Sequence, residues 1–221
     1  MATILLTGAT GRLGGNVTAE LVKRGHTVRA LVIPDDPKGG KLAPFDVEII
    51  EGDLRDPAVS DRVLAGADSV IHTANILGPP PGMSRDAFFA ISITGTFNLL
   101  EAAGRRADQL ERFVHISSDA VADARDVALA TVQALEHPAA VGEVFNVAVP
   151  RPFTFGEVAR YMAEQTGDPF LTFEVPQRWV HWSDVRKLRS QLDCEPQCDL
   201  PQVFGTALAH ARGEPADVVP A

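Results

Sequence analysis

The sequence predicts an α/β fold with a doubly wound parallel sheet, and three observations support this. The first 120 residues alternate between strand-like runs at 3–6, 28–33, 47–51, 69–72 and 113–117 and helical stretches near 13–24, 57–65 and 85–107. A glycine-rich turn joins the first strand to the first helix. The chain has 221 residues, 45% of them hydrophobic, which suffices for one sizeable core. Alternating strands and helices connect through right-handed crossovers into a parallel sheet.

The turn reads TGATGRLGG over residues 7–15 and has the setting of a dinucleotide-binding loop. A glycine at position 8 permits a tight reversal, one at 11 leaves room for a pyrophosphate, and one at 14 allows close helix packing. The free N–H groups of the following helix face the anion. The turn therefore predicts a Rossmann-like cofactor site, with contacts from Gly8, Thr10, Gly11, Arg12, Leu13 and Gly14.

The second half of the chain continues the alternation. Residues 125–137 predict an amphipathic helix and 144–149 a strand, which a right-handed crossover would place beside the fifth strand in the order 3-2-1-4-5-6. Further elements are predicted as helices at 154–166, 183–192 and 201–212 and a short strand at 171–175. Residues 34–46 and 78–84 are rich in proline and glycine and predict loops.

These elements divide the chain into three predicted parts. Residues 1–150 form the nucleotide-binding domain, 151–213 a small C-terminal α/β lobe of the substrate-binding kind, and 214–221 a loose tail.

The composition of the chain limits the classes of binding partner that we expect. The formal net charge of −9 argues against nucleic acid and anionic membrane surfaces, which attract basic proteins. We read no apolar run near the ~20 residues that span a bilayer and no signal peptide before the first strand, so we expect a cytoplasmic protein without a membrane partner. Cys194 and Cys198 are expected to be free thiols, and no further ligands accompany them, so no metal site is predicted.

The motifs together resemble the NAD-dependent epimerase/dehydratase family, the extended short-chain dehydrogenases/reductases. The similar segments, after the glycine turn, are Glu51-Gly-Asp-Leu-Arg-Asp56, Val70-Ile-His-Thr-Ala74, the helix 91–103, Phe113-Val-His-Ile-Ser-Ser118, Arg125-Asp-Val-Ala128 and Gly142-Glu-Val-Phe-Asn146. The resemblance implies that Asp53 contacts the adenine amino group beside the Leu54 backbone. It also implies that Thr73 and Ala74 line the cofactor.

The sequence departs from that family where catalysis is expected. The family uses a Tyr-x-x-x-Lys pair after the fifth strand, in which the lysine lowers the pKa of the tyrosine that exchanges a proton with the substrate. Ser118 matches the family's Ser/Thr and is the predicted catalytic residue. The chain is shortened near 121–124, and the tyrosine–lysine segment is missing. The one tyrosine, Tyr161, is followed by Gln165 and is interpreted as a packing residue.

Two further positions leave the cofactor and its chemistry open. Ser92 stands where the family often has the asparagine of its proton relay. The second strand ends without an acidic residue, and Asp35 and Asp36 follow on the loop. Asp35 could reach a ribose hydroxyl, while Arg12 or Arg29 could meet a 2′-phosphate. The cofactor is therefore NAD or NADP, with a lean to NAD because an acidic loop repels a phosphate.

Two functions remain open from sequence. The first is an NAD(P)-dependent epimerase, dehydratase or reductase acting on a nucleotide sugar or related small molecule with an unusual acid/base. His72 or His115 could supply that base. The second is a non-catalytic dinucleotide-binding sensor or partner-binding module. A homo-oligomer is possible, but the family's usual dimer interface is incomplete without the tyrosine helix.

Overall fold

A computed structural model describes residues 1–76, 78–117, 122–170 and 183–214, and they contain one sheet of five parallel strands. The strands are β1 (Thr3–Thr7), β2 (Thr27–Val32), β3 (Glu48–Glu51), β4 (Ser69–His72) and β5 (Arg112–His115). Their order is β3-β2-β1-β4-β5, and every neighbouring pair is parallel. The predicted doubly wound α/β fold is confirmed. Because all strands run the same way, their carboxyl ends share one edge of the sheet.

The helices of the described residues are α1 (Arg12–Lys23), α2 (Pro57–Leu64), α3 (Arg85–Phe89), α4 (Gly95–Gly104), α5 (Ala124–Glu136), α6 (Phe155–Thr166), α7 (Arg186–Leu192) and α8 (Leu200–Ala211). Of these, α1 and α5 pack on one face of the sheet, and α2 and α4 pack on the other. A π-helical turn, Ala90–Thr94, makes α3 and α4 one continuous helix. Short 3₁₀ turns lie at Gly39–Leu42 and Pro138–Ala140.

The alternation of side chains along each strand divides the core into two layers. In β1, Ile4 and Leu6 pack with α1 and α5, whereas Leu5 between them packs with α2 and α4. These β1 side chains are fully buried on both faces, as expected for a central strand covered by helices on either side. The carboxyl edge of the sheet is thereby fixed in position by the packing of both layers.

The predicted strand at 144–149 is wrong: no strand forms there. Phe145 and Val147 pack against Ala130 of α5 and Leu188 of α7, while Val144, just before them, is 80% exposed. The residues form an extended segment that lies on two helices and makes no ladder hydrogen bonds. The sixth position in the predicted strand order is therefore not filled by these residues.

The remaining C-terminal predictions have mixed outcomes. The helices predicted at 154–166, 183–192 and 201–212 correspond to α6, α7 and α8, while the strand at 171–175 lies outside the described residues. The domain boundary at 150 stays a prediction. Asp126 of α5 is buried and accepts hydrogen bonds from the backbone N–H groups of Gln197 and Cys198, both at 2.9 Å, which ties α5 to the segment before α8.

The two cysteines are buried free thiols, as predicted. Burial and the nearby Asp126 carboxylate raise the pKa of Cys194, and they raise that of Cys198 to about 12. Both side chains are therefore protonated near neutral pH and act as small apolar packing groups.

The sequence prediction that no apolar run is long enough to span a bilayer is corrected by the helix over Arg85–Gly104. This helix is 20 residues long and contains an 18-residue window with a mean hydropathy of 1.2, so by length and composition alone it could cross a membrane. Its inner side, with Leu99, Ala102 and Ala103, packs into the α2–α4 layer of the core. The absence of a membrane partner stays a prediction.

Candidate functional site

The glycine turn at the carboxyl end of β1 is built on two positions without room for a side chain. Gly8 has a φ of +72°, and a Cβ there would lie 2.8 Å from the backbone nitrogen of Ala74. A Cβ at Gly14 would lie 2.0 Å from the carbonyl oxygen of Gly8. Real Cβ atoms do not approach so closely, so these two glycines are required by the fold itself.

Gly11 is less confined than Gly8 and Gly14, although a side chain there would still be in tight contact with one backbone oxygen. Its N–H donates to the carbonyl of Gly8 at 3.0 Å, and a Cβ there would meet only that oxygen, at 3.2 Å. Gly11 has an extended backbone and precedes α1, whose N-terminus has no side-chain cap and no acidic residue in its first turn. The N–H groups beginning at Arg12 and Leu13 can therefore bind an anion.

The end of β4 lies directly against this turn. Thr73 donates from its hydroxyl to the Thr7 carbonyl at 2.8 Å, and the Ala74 N–H donates to the Thr7 hydroxyl at 3.3 Å. The structure thus brings together Gly8, Thr73 and Ala74, which the sequence assigned to one cofactor site.

Asp36 contacts the glycine turn from the loop after β2. Its Oδ2 accepts the Thr10 hydroxyl at 2.7 Å, and its Oδ1 accepts the Lys38 N–H at 2.9 Å. Asp35, the residue that sequence reasoning selected, is exposed and has a φ of +57°. Proximity to Thr10 across 26 residues of sequence depends on the path of the loop, which the sequence does not show.

Asp53 and Leu54 follow β3 at the same edge. Asp53 is held by Arg55, whose Nε donates to Oδ2 and whose N–H donates to Oδ1, both at 2.9 Å. The hydrogen bonds from Arg55 lower the pKa of the Asp53 carboxyl, although partial burial opposes this. Leu54 is buried, and its carbonyl accepts the Asn98 side-chain amide at 2.8 Å, which joins this segment to α4.

A row of polar side chains crosses the three strands on the other side of the turn. Thr7, His72 and His115 occupy matching register positions at the ends of β1, β4 and β5. His72 Nδ1 lies 2.6 Å from Thr7 Oγ1, and His72 Nε2 lies 2.9 Å from Thr96 Oγ1 on α4. Sequence reasoning missed Thr96, because nothing in the sequence pairs it with His72.

His72 and His115 have different surroundings, although their rings stack at 5.3 Å with an interplanar angle of 21°. His72 is 2% exposed, and burial, with a smaller contribution from the charge of His115, lowers its pKa to about 4. His72 is therefore neutral at pH 7. His115 is exposed at the end of β5.

The remaining candidate residues are Tyr161 and four residues that the structure does not describe. Ser118 and its neighbour Asp119 are outside the described residues, as are His181 and Trp182. Tyr161 lies on α6, and its hydroxyl is 3.4 Å from where a Cβ of Gly205 on α8 would stand. Over the described ranges, no group of three or more His, Cys, Asp or Glu side chains could hold a metal ion.

The depressed pKa of His72 predicts a pH-dependent stability. In the unfolded chain a histidine binds a proton near pH 6.5, whereas His72 in the fold binds one near pH 4. Between these values the unfolded state holds more protons, so stability is complete above pH 6.5 and falls as the pH drops to 4. We expect His72 to contribute up to about 3 kcal/mol to this loss.

Urea unfolding at pH 7 and at pH 4.5 checks this contribution. The His72→Gln variant is expected to lose less unfolding free energy than the unmutated protein between the two pH values. The His210→Gln variant, altered on α8, is the matched control and should behave as the unmutated protein. Equal losses in all three proteins would contradict the assignment.

Comparisons with known proteins agree with this geometry. Residues 4–124 match the model of the NAD dependent epimerase/dehydratase family, which is more than half of the chain. Over its whole length the chain is similar in fold to a short-chain dehydrogenase/reductase superfamily protein of Agrobacterium tumefaciens, solved with bound NAD. That likeness has a TM-score of 0.76 and 20% identity and covers 96% of this chain and 100% of the other.

Two curated relatives are more similar in sequence. A 3 beta-hydroxysteroid dehydrogenase/Delta 5-->4-isomerase of Mycobacterium tuberculosis is 34% identical over 131 residues, which cover 55% of this chain and 33% of that protein. A 4-hydroxy-2-methyl-3-oxo-4-farnesyl-3,4-dihydroquinoline-1-oxide ketoreductase of Stigmatella aurantiaca is 31% identical over 196 residues, covering 85% of this chain and 53% of that protein. The chain thus spans a third to a half of these relatives' lengths. From the family match and the glycine turn together, the chain belongs to the NAD-dependent epimerase/dehydratase family.

Proposed function

We propose that this protein binds NAD across the carboxyl edge of its sheet and uses it to oxidise or reduce a small molecule at a hydroxyl or ketone carbon. The observation that carries the proposal is the glycine turn. Gly8 and Gly14 fix its shape, and the space at Gly11 opens toward the uncapped start of α1. A pyrophosphate needs this combination of close backbone approach and free N–H donors.

The strand order determines which half of the cofactor lies over which strands in this proposal. In this proposal the adenosine half lies over β2 and β3, where Asp36 and Asp53 present carboxylates. Asp36 accepts a ribose hydroxyl, a role for which Asp35 is the neighbouring candidate, and Asp53 accepts the adenine amino group. The nicotinamide half then extends toward Thr73, Ala74 and the end of β5. When bound, the cofactor supplies a hydride acceptor or donor there.

The substrate class is drawn from the relatives. The curated names include a hydroxysteroid dehydrogenase and a ketoreductase, and one structural neighbour was solved with UDP-glucose and NAD. All three names fit a secondary alcohol or its ketone as the reacting group, so we propose a nucleotide sugar or a related alcohol as substrate. Ser118, as in the family, would hydrogen-bond the reacting oxygen.

One observation favours a second function, dinucleotide binding without turnover. Tyr161 is the one tyrosine of the chain, and it lies on α6 beside α8 rather than at the strand ends. The usual tyrosine proton donor of the family is therefore not available from this chain. Tight NAD binding with no hydride transfer to any alcohol or ketone would favour this second function.

Replacing Gly11 with valine tests the proposed cofactor site. The backbone at Gly11 is extended, so the fold should accept the change once the Gly8 oxygen, 3.2 Å from the new Cβ, moves by a few tenths of an ångström. The branched side chain then fills the space for the pyrophosphate. We expect at least a ~100-fold loss of NAD affinity by calorimetry, about 2.7 kcal/mol, with little change in thermal unfolding.

The control for this test is Gly104→Val, at the end of α4, where a Cβ would have nothing within 4 Å. It should bind NAD as the unmutated protein does. No NAD binding by the unmutated protein, or unimpaired binding by Gly11→Val, would overturn the proposal.

Replacing Asp36 with asparagine tests the preference for NAD over NADP. The carboxylate should repel a 2′-phosphate, so the unmutated protein should bind NAD at least about tenfold more tightly than NADP. Asparagine removes the charge and keeps an oxygen that can accept from Thr10. The affinity ratio, measured by calorimetry, is expected to fall toward one.

Asp35→Asn is the matched control, because it removes the same charge one residue away. It should leave the ratio unchanged. A ratio that responds to Asp35→Asn and not to Asp36→Asn would assign the ribose contact to Asp35 instead.

A further inference from the structure

We propose that His115 takes the place of the missing tyrosine as the group that exchanges a proton with the substrate, and that His72 is its fixed, neutral neighbour. The inference rests on the proposed function, because it needs a dinucleotide at the carboxyl edge. It is carried by the arrangement of hydrogen bonds around the two stacked rings.

The position of His115 follows from the strand order. The adenosine side of the site is at β2 and β3, and the pyrophosphate turn follows β1, so the reacting end of the cofactor extends over β4 and β5. His115 is the last residue of β5, in register with His72. Two strand spacings, roughly 10 Å, separate β5 from β1, so His115 stands at the far end of the edge from the adenosine.

The hydrogen bonds of His72 fix which ring nitrogen carries its proton. The hydroxyl of Thr96 donates to the carbonyl of Ser92 at 2.8 Å, so toward His72 it can only accept. His72 Nε2 must then carry the hydrogen and donate to Thr96 Oγ1. The Nδ1 atom is left as an acceptor, and the Thr7 hydroxyl donates to it.

The two threonine hydroxyl groups that contact His72 also have hydrogen-bond partners of their own. The Thr7 oxygen also accepts the Ala74 N–H, and the Thr96 proton ends on a backbone carbonyl. Both nitrogens of His72 are occupied and its ring is buried, so it has no free site for a substrate proton. Its pKa of about 4 agrees with that neutral state.

His115 meets the requirements that His72 does not. Its ring is exposed and stacks on the ring of His72, which is neutral at pH 7. Thr96, on the helix that covers this end, contributes a hydroxyl rather than a charge. An exposed imidazole can accept a proton on one ring nitrogen and give it back, so it can serve as proton acceptor and donor in both directions of the reaction.

In the oxidation, the substrate O–H bond breaks and its proton passes to the neutral His115 ring. The hydrogen on the same carbon leaves with its bonding electron pair and passes to the oxidised nicotinamide. The products are a ketone, the reduced dinucleotide and an imidazolium at His115. Reduction of the ketone runs through the same transfers in reverse.

Nitrogen-15 NMR of histidine side chains in the full-length protein tests this without relying on turnover. The chain has six histidines, and the His72→Gln and His115→Gln variants identify the two signals. We expect the His115 signal to shift when NAD is added. His72 should keep the neutral Nε2–H signature from pH 5 to 8. Titration of His72 in this range, or an unmoved His115 signal when calorimetry shows NAD bound, would overturn the inference.

Single-turnover hydride transfer, followed by nicotinamide absorbance over a panel of nucleotide sugars and hydroxysteroids, measures the catalytic role. His115→Gln should lower the rate by ~10²–10⁴-fold while NAD affinity stays within about twofold. His210→Gln is the matched control and should retain the unmutated rate. An unchanged rate in His115→Gln, or no transfer by the unmutated protein on any substrate, overturns the inference while NAD binding still stands. If NAD does not bind, the proposed function itself is contradicted, and the inference that rests on it is contradicted as well.

Discussion

The contact between the carbonyl of Gly8 and the first turn of α1 is the constraint on which the rest of the site depends. A side chain at Gly14 would fall 2.0 Å from that oxygen, and one at Gly8 would collide with the backbone of Ala74. With both side chains absent, β1, α1 and the end of β4 converge on one point. The space in front of Gly11 exists because its neighbours are packed this closely.

The same convergence organises the polar groups of the carboxyl edge. Thr7, the last residue of β1, bonds to Thr73, Ala74 and His72, and His72 continues the connection to Thr96 on α4. Burying a neutral histidine costs little free energy when both of its ring nitrogens are hydrogen-bonded, and these bonds fix the strand ends relative to the helix. The edge is therefore prearranged on both sides of the turn, with carboxylates toward β3 and imidazoles toward β5.

The sequence predicted the parts of this arrangement that depend on local chemistry. The five strands and the glycine turn follow from strand and turn patterns read in order, and the family resemblance implied that Ala74 lies at the same cofactor site as Gly8. The contact of Asp36 with Thr10 and that of Thr96 with His72 join residues 26 and 24 apart, and only the folded path brings them together.

The error at 144–149 has a physical cause. A sequence of apolar residues in an extended segment can indicate that one side of the segment is buried. It does not indicate whether a neighbouring strand or a helix buries that side. Phe145 and Val147 meet α5 and α7, and the ring of Phe145 also lies 4.9 Å from the ammonium of Lys187. Within the described residues β5 is consequently an edge strand, and His115 at its end remains exposed.

The central claim is that one dinucleotide lies along the carboxyl edge from β3 to β5. Mapping backbone amide chemical shifts during an NAD titration tests it most directly. The account predicts the largest changes at residues 11–13, at Asp36, at Ala74 and at His115, with α6 and α8 unaffected. Changes confined to α6 and α8, or none at the glycine turn when NAD saturates the protein, would contradict it.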